Sequence, residues 1–380
     1  MSRTNTRLLK AVLSALSVTG ADRIGARWAG GIGAIFMLHH VLPETGEPPR
    51  AFAPNRPLAV TPEFLAAVVD RVQEWGYDVI ALDDVPGRLA AGSDARPFCA
   101  FTFDDGYRDN REHAYPIFKA RGLPFAIYVP SAYADGAGDL WWLVLEQAIL
   151  RLGEVRIDLD GRELRLPART DAEKVQAHHA VYWKLREMAE DQARAIVARL
   201  AADAGVDGSG LCRDLVMSWS EIGDLARDPL VTIGAHTVGH YALAKLTEER
   251  MRAEIEDGKA RIEAELARPC RHFSYPYGSE IAAGEREFAA TLEAGFATAV
   301  TTRKGLIERA HAGQPTALPR VSLNGDFQDI SYVRTLLTGV PFALMRAAER
   351  SNERRLAGCL GALNVAPSYH PAVEPLTSIL

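Results

Sequence analysis

From residue 32 onward, short apolar runs alternate with helical patterns, and this alternation restricts the chain to a parallel α/β architecture. Ile32 to Leu38 reads as a buried strand, and Phe64 to Trp75 as an amphipathic helix opened by Thr61-Pro62-Glu63. Strands are predicted at Tyr77 to Leu82, Phe98 to Phe103 and Phe125 to Val129, with a helix over Asn110 to Ala120. The rhythm then breaks. Leu140 to about Arg227 reads as a mostly helical insertion, relieved only by a strand-turn-strand signal from Val155 to Leu166 around Asp160-Gly161. Alternation resumes with Val231 to Gly234, a charged helix from Thr247 to Leu266, a strand from Arg271 to Tyr275, a helix near Glu285 to Ala294, and strands at Ala297 to Thr301 and Leu318 to Leu323. No glycine-rich phosphate loop follows the first strand, which favours a closed barrel over an open doubly wound sheet.

Three parts are expected: an amino-terminal helical segment over residues 1–31, a barrel over 32–340 that includes the insertion at about 140–227, and a carboxy-terminal helix and tail over 341–380. Within the first, Leu8, Leu9, Val12, Leu13 and Leu16 fit one face of an amphipathic helix, although Arg3, Arg7 and Lys10 before a short apolar stretch also fit an export signal. A cytoplasmic protein is the expectation, with export the alternative. No run approaches the roughly 20 apolar residues that a membrane-spanning helix needs. The net charge of -6 offers no broad cationic field for nucleic acid. Four cysteines lie scattered without CxxC pairing in a chain of 380 residues, long enough to build its core without crosslinks.

Chemistry concentrates where strands end. The apolar run Phe98 to Phe103 stops at Asp104-Asp105-Gly106, which puts two adjacent carboxylates on the reactive rim of a barrel. An Asp-Gly pair also makes a plain turn. Two neighbouring acids in a cleft repel unless a cation compensates one of them. After the next apolar strand comes His236-Thr237-Val238-Gly239-His240, whose two imidazoles share one side if the loop takes a helical turn. Asp105, His236 and His240 would supply three nitrogen or oxygen ligands and leave a position for water, a composition suited to catalytic zinc. The competing reading is a solvated polar loop. The third segment, Arg271 to Gly278, ends in a Pro276-Tyr277-Gly278 turn able to hold a backbone N–H toward a ligand, or merely to end a strand.

Together these segments resemble the polysaccharide deacetylases of carbohydrate esterase family 4, which includes the nodulation-type chitooligosaccharide deacetylases. Phe101-Thr102-Phe103-Asp104-Asp105-Gly106 matches that family's first motif, His236 to His240 its second, and Arg271 to Gly278 resembles its third. The resemblance runs from about Ala34 to Leu323 outside the insertion. It implies a distorted (β/α) barrel of about seven strands that removes N-acetyl groups from an amino-sugar oligomer or polymer. It further implies that Asp105, His236 and His240 bind a divalent metal, most simply Zn2+. Asp104 would be general base toward the water, Arg271 would orient and charge-compensate it, and the Tyr277 N–H would stabilise the oxyanion.

One departure stands out. The late strand Leu318-Pro319-Arg320-Val321-Ser322-Leu323-Asn324 lacks the histidine that the family often uses as general acid, and His311 lies in an earlier loop. Some relatives carry a histidine near the end of the first strand, so His39 is assigned to the site, against a plain core role. Trp219 and the pair Trp141-Trp142 would stack on sugar rings or pack the inserted helices. Two further readings stay open: an amidase of this fold acting on a non-carbohydrate amide or imide, and a glycan-binding barrel without catalysis. A glycosidase fits less well, because adjacent residues leaving one strand cannot flank a bond at the separation of about 5–9.5 Å which that chemistry uses.

Overall fold

The computed structural model describes residues 3–46, 50–91, 95–159 and 161–363. Seven parallel strands close into a ring: β1 (Gly33–Leu38), β2 (Phe98–Phe103), β3 (Phe125–Val129), β4 (Val231–Ala235), β5 (His272–Ser274), β6 (Thr298–Lys304) and β7 (Leu318–Ser322). Each pairs with its neighbour in sequence, and β1 closes the ring by pairing with β2 over Gly33 to Leu38 and with β7 at Phe36 and Met37. The ring is uneven. β5 spans three residues, and the β6–β7 register slips between Val300 and Lys304.

The expected strand at Tyr77 to Leu82 shortens to Asp78–Val79, which pairs with the start of β2 while β3 pairs with its end. It wedges the ring and is no stave of it. The Pro86 ring and the helical turns from Leu82 onward end the extended run.

A two-residue period sorts the strand side chains. Ile35, Phe98, Ala100, Ala126, Tyr128, Val300 and Leu318 fill the barrel lumen. Their odd-step neighbours, among them Phe36, Phe101, Phe103, Phe273 and Val321, face the helices in the larger outer core. Continued to the strand ends, the lumen parity includes His39, Asp104, His236, Ser274 and Arg320. In the outer layer the Phe118 ring stacks on Phe125 at 4.7 Å and meets Phe101 edge-on at 5.2 Å.

The insertion consists of helices at Trp141–Arg151, Asp171–Glu187, Glu190–Ala204 and Gly208–Leu215, with an antiparallel hairpin of Glu154–Leu159 and Arg162–Pro167. These elements form a second core, from Leu140 to Val216, that also takes in Phe52, Tyr107 and Tyr133 from the barrel and its loops. The following helix, Trp219–Ala226, places Ile222 and Leu225 in the barrel's outer core and so belongs to the barrel. The amino-terminal helix spans Arg3–Thr19, but only part of its apolar stripe is covered. Leu13 is buried and Leu9 half-buried, whereas Leu8 and Val12 are exposed. The carboxy-terminal helix runs over Val340–Leu363, and the expected tail beyond it lies outside the described residues.

Candidate metal and catalytic site

The site sits where the strands run out at their carboxyl ends. Asp104 and Asp105 follow β2, His236 follows β4, Tyr277 follows β5, and His39 follows β1. Five non-glycine residues among those described adopt a left-handed backbone: Asp105, Thr237, His240, Tyr277 and Ala267. Four of them lie in the three motifs. Such a conformation costs of order 1–2 kcal/mol per residue, so the surrounding contacts must hold these loops in place.

Those contacts are visible around the histidine loop. His236 Nδ1 lies 2.6 Å from the Ser274 carbonyl, which accepts its hydrogen and leaves Nε2 with a free lone pair. The Thr237 hydroxyl accepts from the His240 N–H at 2.8 Å, and the Glu254 carboxylate accepts from the N–H groups of Val238 and Gly239 at 3.0 and 2.8 Å. Arg194 of the insertion donates to the carbonyls of Gly239 and His240 at 2.9 and 3.0 Å. Helix Glu248–Leu266, which carries Glu254, can approach only because residue 258 is glycine. A Cβ there would stand 2.9 Å from the Thr237 carbonyl carbon.

Asp105, His236 and His240 converge. Asp105 Oδ1 lies 3.5 Å from His236 Nε2 and 3.3 Å from His240 Nε2, with all three side chains buried. Ligands bound about 2.0–2.2 Å from a tetrahedral ion stand about 3.3–3.6 Å apart, so this spacing fits one small divalent cation. The same Asp105 oxygen is buried without a hydrogen-bond partner among the described residues, as an oxygen reserved for a cation would be. Burial pushes the His240 imidazole down to about 3 against the opposing pull of Asp105, so its ring is neutral and able to ligate.

Asp104 is differently engaged. Its two oxygens accept from Arg320 Nη1 at 2.9 Å and Nη2 at 2.6 Å, a bidentate pair with both side chains buried. Arg320 uses its three remaining donors on the Thr301 carbonyl, the Thr102 hydroxyl and the Ser274 hydroxyl. Burial alone would raise the Asp104 carboxyl, but the Arg320 charge and hydrogen bonds outweigh it and hold the group below the ordinary carboxylate range.

This corrects the expectation for Arg271. That residue precedes β5 at the far end of the barrel, is exposed, and faces Asp83 at 3.3 Å. Strand parity explains the miss. Arg271 shares the outer face with Phe273, whereas Arg320 shares the lumen with Leu318. The only sequence signal for Arg320 is a charge at an inward position of an otherwise apolar strand.

His39 Nε2 stands 4.0 Å from Asp104 Oδ2, and its pKa is lowered by burial against the charges of Asp105 and Asp104. Its neighbour His40 is tied down, with Nδ1 2.6 Å from Asp109 and its ring stacked 3.6 Å from Tyr107. At the third motif the Thr302 hydroxyl donates to the Tyr277 carbonyl at 2.6 Å, and the Thr302 N–H donates to the Gly278 carbonyl at 3.1 Å. Glycine is required at 278, where a Cβ would meet the Thr302 nitrogen at 2.5 Å. The turn's carbonyls are thus anchored to β6.

The insertion walls the site. Trp141 Nε1 donates to the Tyr277 hydroxyl at 2.7 Å, Arg186 lies 3.6 Å over the Tyr277 ring, and the Trp142 ring stands 5.0 Å from His240. Both tryptophans are buried and pack the insertion against the barrel. Trp219 donates to Asp135 at 2.7 Å and lies beneath Arg261.

The sequence model of the polysaccharide deacetylase family matches residues 91–296, more than half of the chain, with all three motifs inside the match. The chain belongs to the polysaccharide deacetylase family. Membership makes this deacetylase a hydrolase of amide carbon–nitrogen bonds in acetylated carbohydrates. Arg320 falls outside the matched span. Its fold is similar to the Streptococcus pyogenes deacetylase PplD in complex with acetate, at 14% identity over 80% of this chain and 97% of that one, with a TM-score of 0.52. It is also similar to a de-N-acetylase from Aggregatibacter actinomycetemcomitans, at 13% identity over 80% and 99% of the two chains and a TM-score of 0.50. No curated protein matches the sequence. Among the described residues no helix is long and apolar enough to cross a membrane.

Proposed function

We propose that this deacetylase removes N-acetyl groups from an amino-sugar oligomer or polymer with a divalent metal, Zn2+ being the simplest fit, held by Asp105, His236 and His240. Such an ion, when bound, supplies Lewis acidity toward the acetyl carbonyl and lowers the pKa of water. The observation that carries the reading is the convergence of three buried ligand atoms at tetrahedral spacing, with one of them an otherwise partnerless oxygen.

Asp104 is the base in this reading. Arg320 keeps it ionised and fixes both oxygens, so it accepts the proton of the attacking water without having to reorient. The Tyr277 N–H, held on the anchored turn, donates to the oxygen that gains charge as the carbonyl carbon becomes tetrahedral. His39, its Nε2 4.0 Å from Asp104 Oδ2, then passes to the leaving amine the proton that Asp104 has taken from the water. Burial lowers its pKa, so the ring stays neutral until it receives that proton and gives it up readily.

Metal analysis of the purified protein, coupled to acetate release from a panel of acetylated oligosaccharides, tests this directly. Asp105→Ala is expected to lose both stoichiometric metal and acetate release. Unchanged metal content in that variant refutes the ligand assignment.

A further inference from the structure

We propose that the paired amino-terminal helices, Arg3–Thr19 and Ala21–Ala29, dock this protein on an anionic lipid bilayer. Each helix leaves an i,i+4 apolar pair in the open. Leu8 is 57% and Val12 40% exposed on the first, and Ile24 is 66% and Trp28 81% exposed on the second. These are large apolar side chains that a surface remote from any partner has no reason to keep uncovered in such number. Elsewhere the same helices are anchored to the body, through buried Leu13 and through Gly25, which packs on Val340.

Charge identifies the partner. An arginine immediately precedes an exposed apolar residue three times, at Arg7-Leu8, Arg23-Ile24 and Arg27-Trp28. The three arginines are exposed, and none pairs with a carboxylate among the described residues. The single carboxylate of the two helices, Asp22, is buried and accepts from the Thr335 hydroxyl at 3.0 Å. A chain of net charge -6 therefore sets three exposed arginines beside four exposed apolar side chains on these two helices, and Glu308, the carboxylate beside Trp28, faces Arg346 at 3.9 Å. A second copy of the chain would bring these cations against their own kind across a two-fold axis. A bilayer carrying anionic headgroups accepts arginines at headgroup depth while leucine, isoleucine and tryptophan enter the acyl boundary.

The second helix leads directly into the start of β1, so Ile24 and Trp28 lie at the amino-terminal end of the barrel strands, while the first helix runs along the flank with Lys10 over the Phe327 ring beyond β7. The metal and catalytic residues lie at the carboxyl ends. Arg23, Ile24, Arg27 and Trp28 therefore lie at the other end of the strands from these groups, and substitutions there spare them.

The test is co-sedimentation of the full chain with vesicles of phosphatidylglycerol and phosphatidylcholine, and of phosphatidylcholine alone. The wild type is expected to partition onto the anionic vesicles, less onto neutral ones, and to be released by salt. Arg23→Gln with Arg27→Gln should weaken partition about 25-fold, at about 5-fold per cation lost. Ile24→Ser with Trp28→Ala should lower it by at least as much, while both variants keep the wild-type circular dichroism spectrum and deacetylate a soluble oligosaccharide at the wild-type rate. The proposal is overturned if the wild type stays in the supernatant, if it binds neutral and anionic vesicles equally, or if both variants sediment as the wild type does. It is equally overturned if sedimentation velocity shows a dimer that Trp28→Ala dissociates and no vesicle binding accompanies it.

Discussion

Replacing Arg320 by methionine isolates the contact on which the Asp104 assignment rests. The substitution removes a fully buried guanidinium whose five donors are all engaged, and leaves the Asp104 carboxylate enclosed with its counter-ion gone. Breaking one partner of a buried ion pair costs about 3–5 kcal/mol, and two charge-assisted hydrogen bonds at about 1.5–3 kcal/mol each give the same range. The sign with pH follows from the direction of the Asp104 shift. In the wild type the folded-state pKa lies below the unfolded value of about 3.9, so the pair's contribution is complete above that value and is lost as pH falls through the folded pKa. In Arg320→Met burial loses its main opponent, with only His236 and His39 left against it, so the folded pKa is expected to rise above the unfolded one and the carboxyl to be tolerated best when protonated. The stability difference should therefore be greatest near neutral pH and shrink steadily toward pH ~4. Urea unfolding across that range reads it, alongside acetate release, which should collapse. Arg271→Ala, at an exposed pair, should stay within about 0.5 kcal/mol and keep full activity. A pH-independent difference below about 1 kcal/mol for Arg320→Met refutes the argument, because no surface-like cost is compatible with an enclosed, newly unpaired carboxylate.

Chelation should abolish acetate release and added Zn2+ should restore it; activity that persists at zero bound metal by elemental analysis would exclude the proposed role. Asp104→Asn should lower kcat by about 10²–10⁴-fold while isothermal titration shows metal still bound, since the base is distinct from the ligands. Arg194→Ala should weaken metal affinity about 10–100-fold by releasing the Gly239 and His240 carbonyls, with Arg194→Lys recovering part of the loss. Phe118→Ala should cost about 3–5 kcal/mol in chemical unfolding, because the ring is fully buried between Phe101, Phe103 and Phe125.

The barrel was legible because each strand carries its own apolar run and each motif lies at a strand's end, so parallel order alone brings the motifs to one rim. That Asp104, Asp105, His236 and His240 come together at that rim could be expected from local sequence for that reason. Arg320 could not, because nothing near it in sequence marks chemistry; it enters the site through lumen parity and through ring closure between β7 and β1. Arg271 misled by lying beside a motif in sequence while sitting at the opposite end of its strand. The tryptophan pair illustrates another limit. A large apolar ring serves a sugar or a core equally well, and only the buried helices of the insertion decide for packing. The amino-terminal helix was readable as amphipathic, but which of its leucines the body covers depends on contacts with helix Ile330–Leu337 and its surroundings.

Because Asp104 lies at the end of the second stave of the barrel and its counter-ion on the last, 216 residues later, the proposed base meets its counter-ion only when both termini of the ring have met. A nascent or truncated chain that ends before residue 320 carries every motif yet has no counter-ion for Asp104. On the proposed mechanism hydrolysis becomes possible only once the cylinder seals, and turnover would report that the last strand has found its seat.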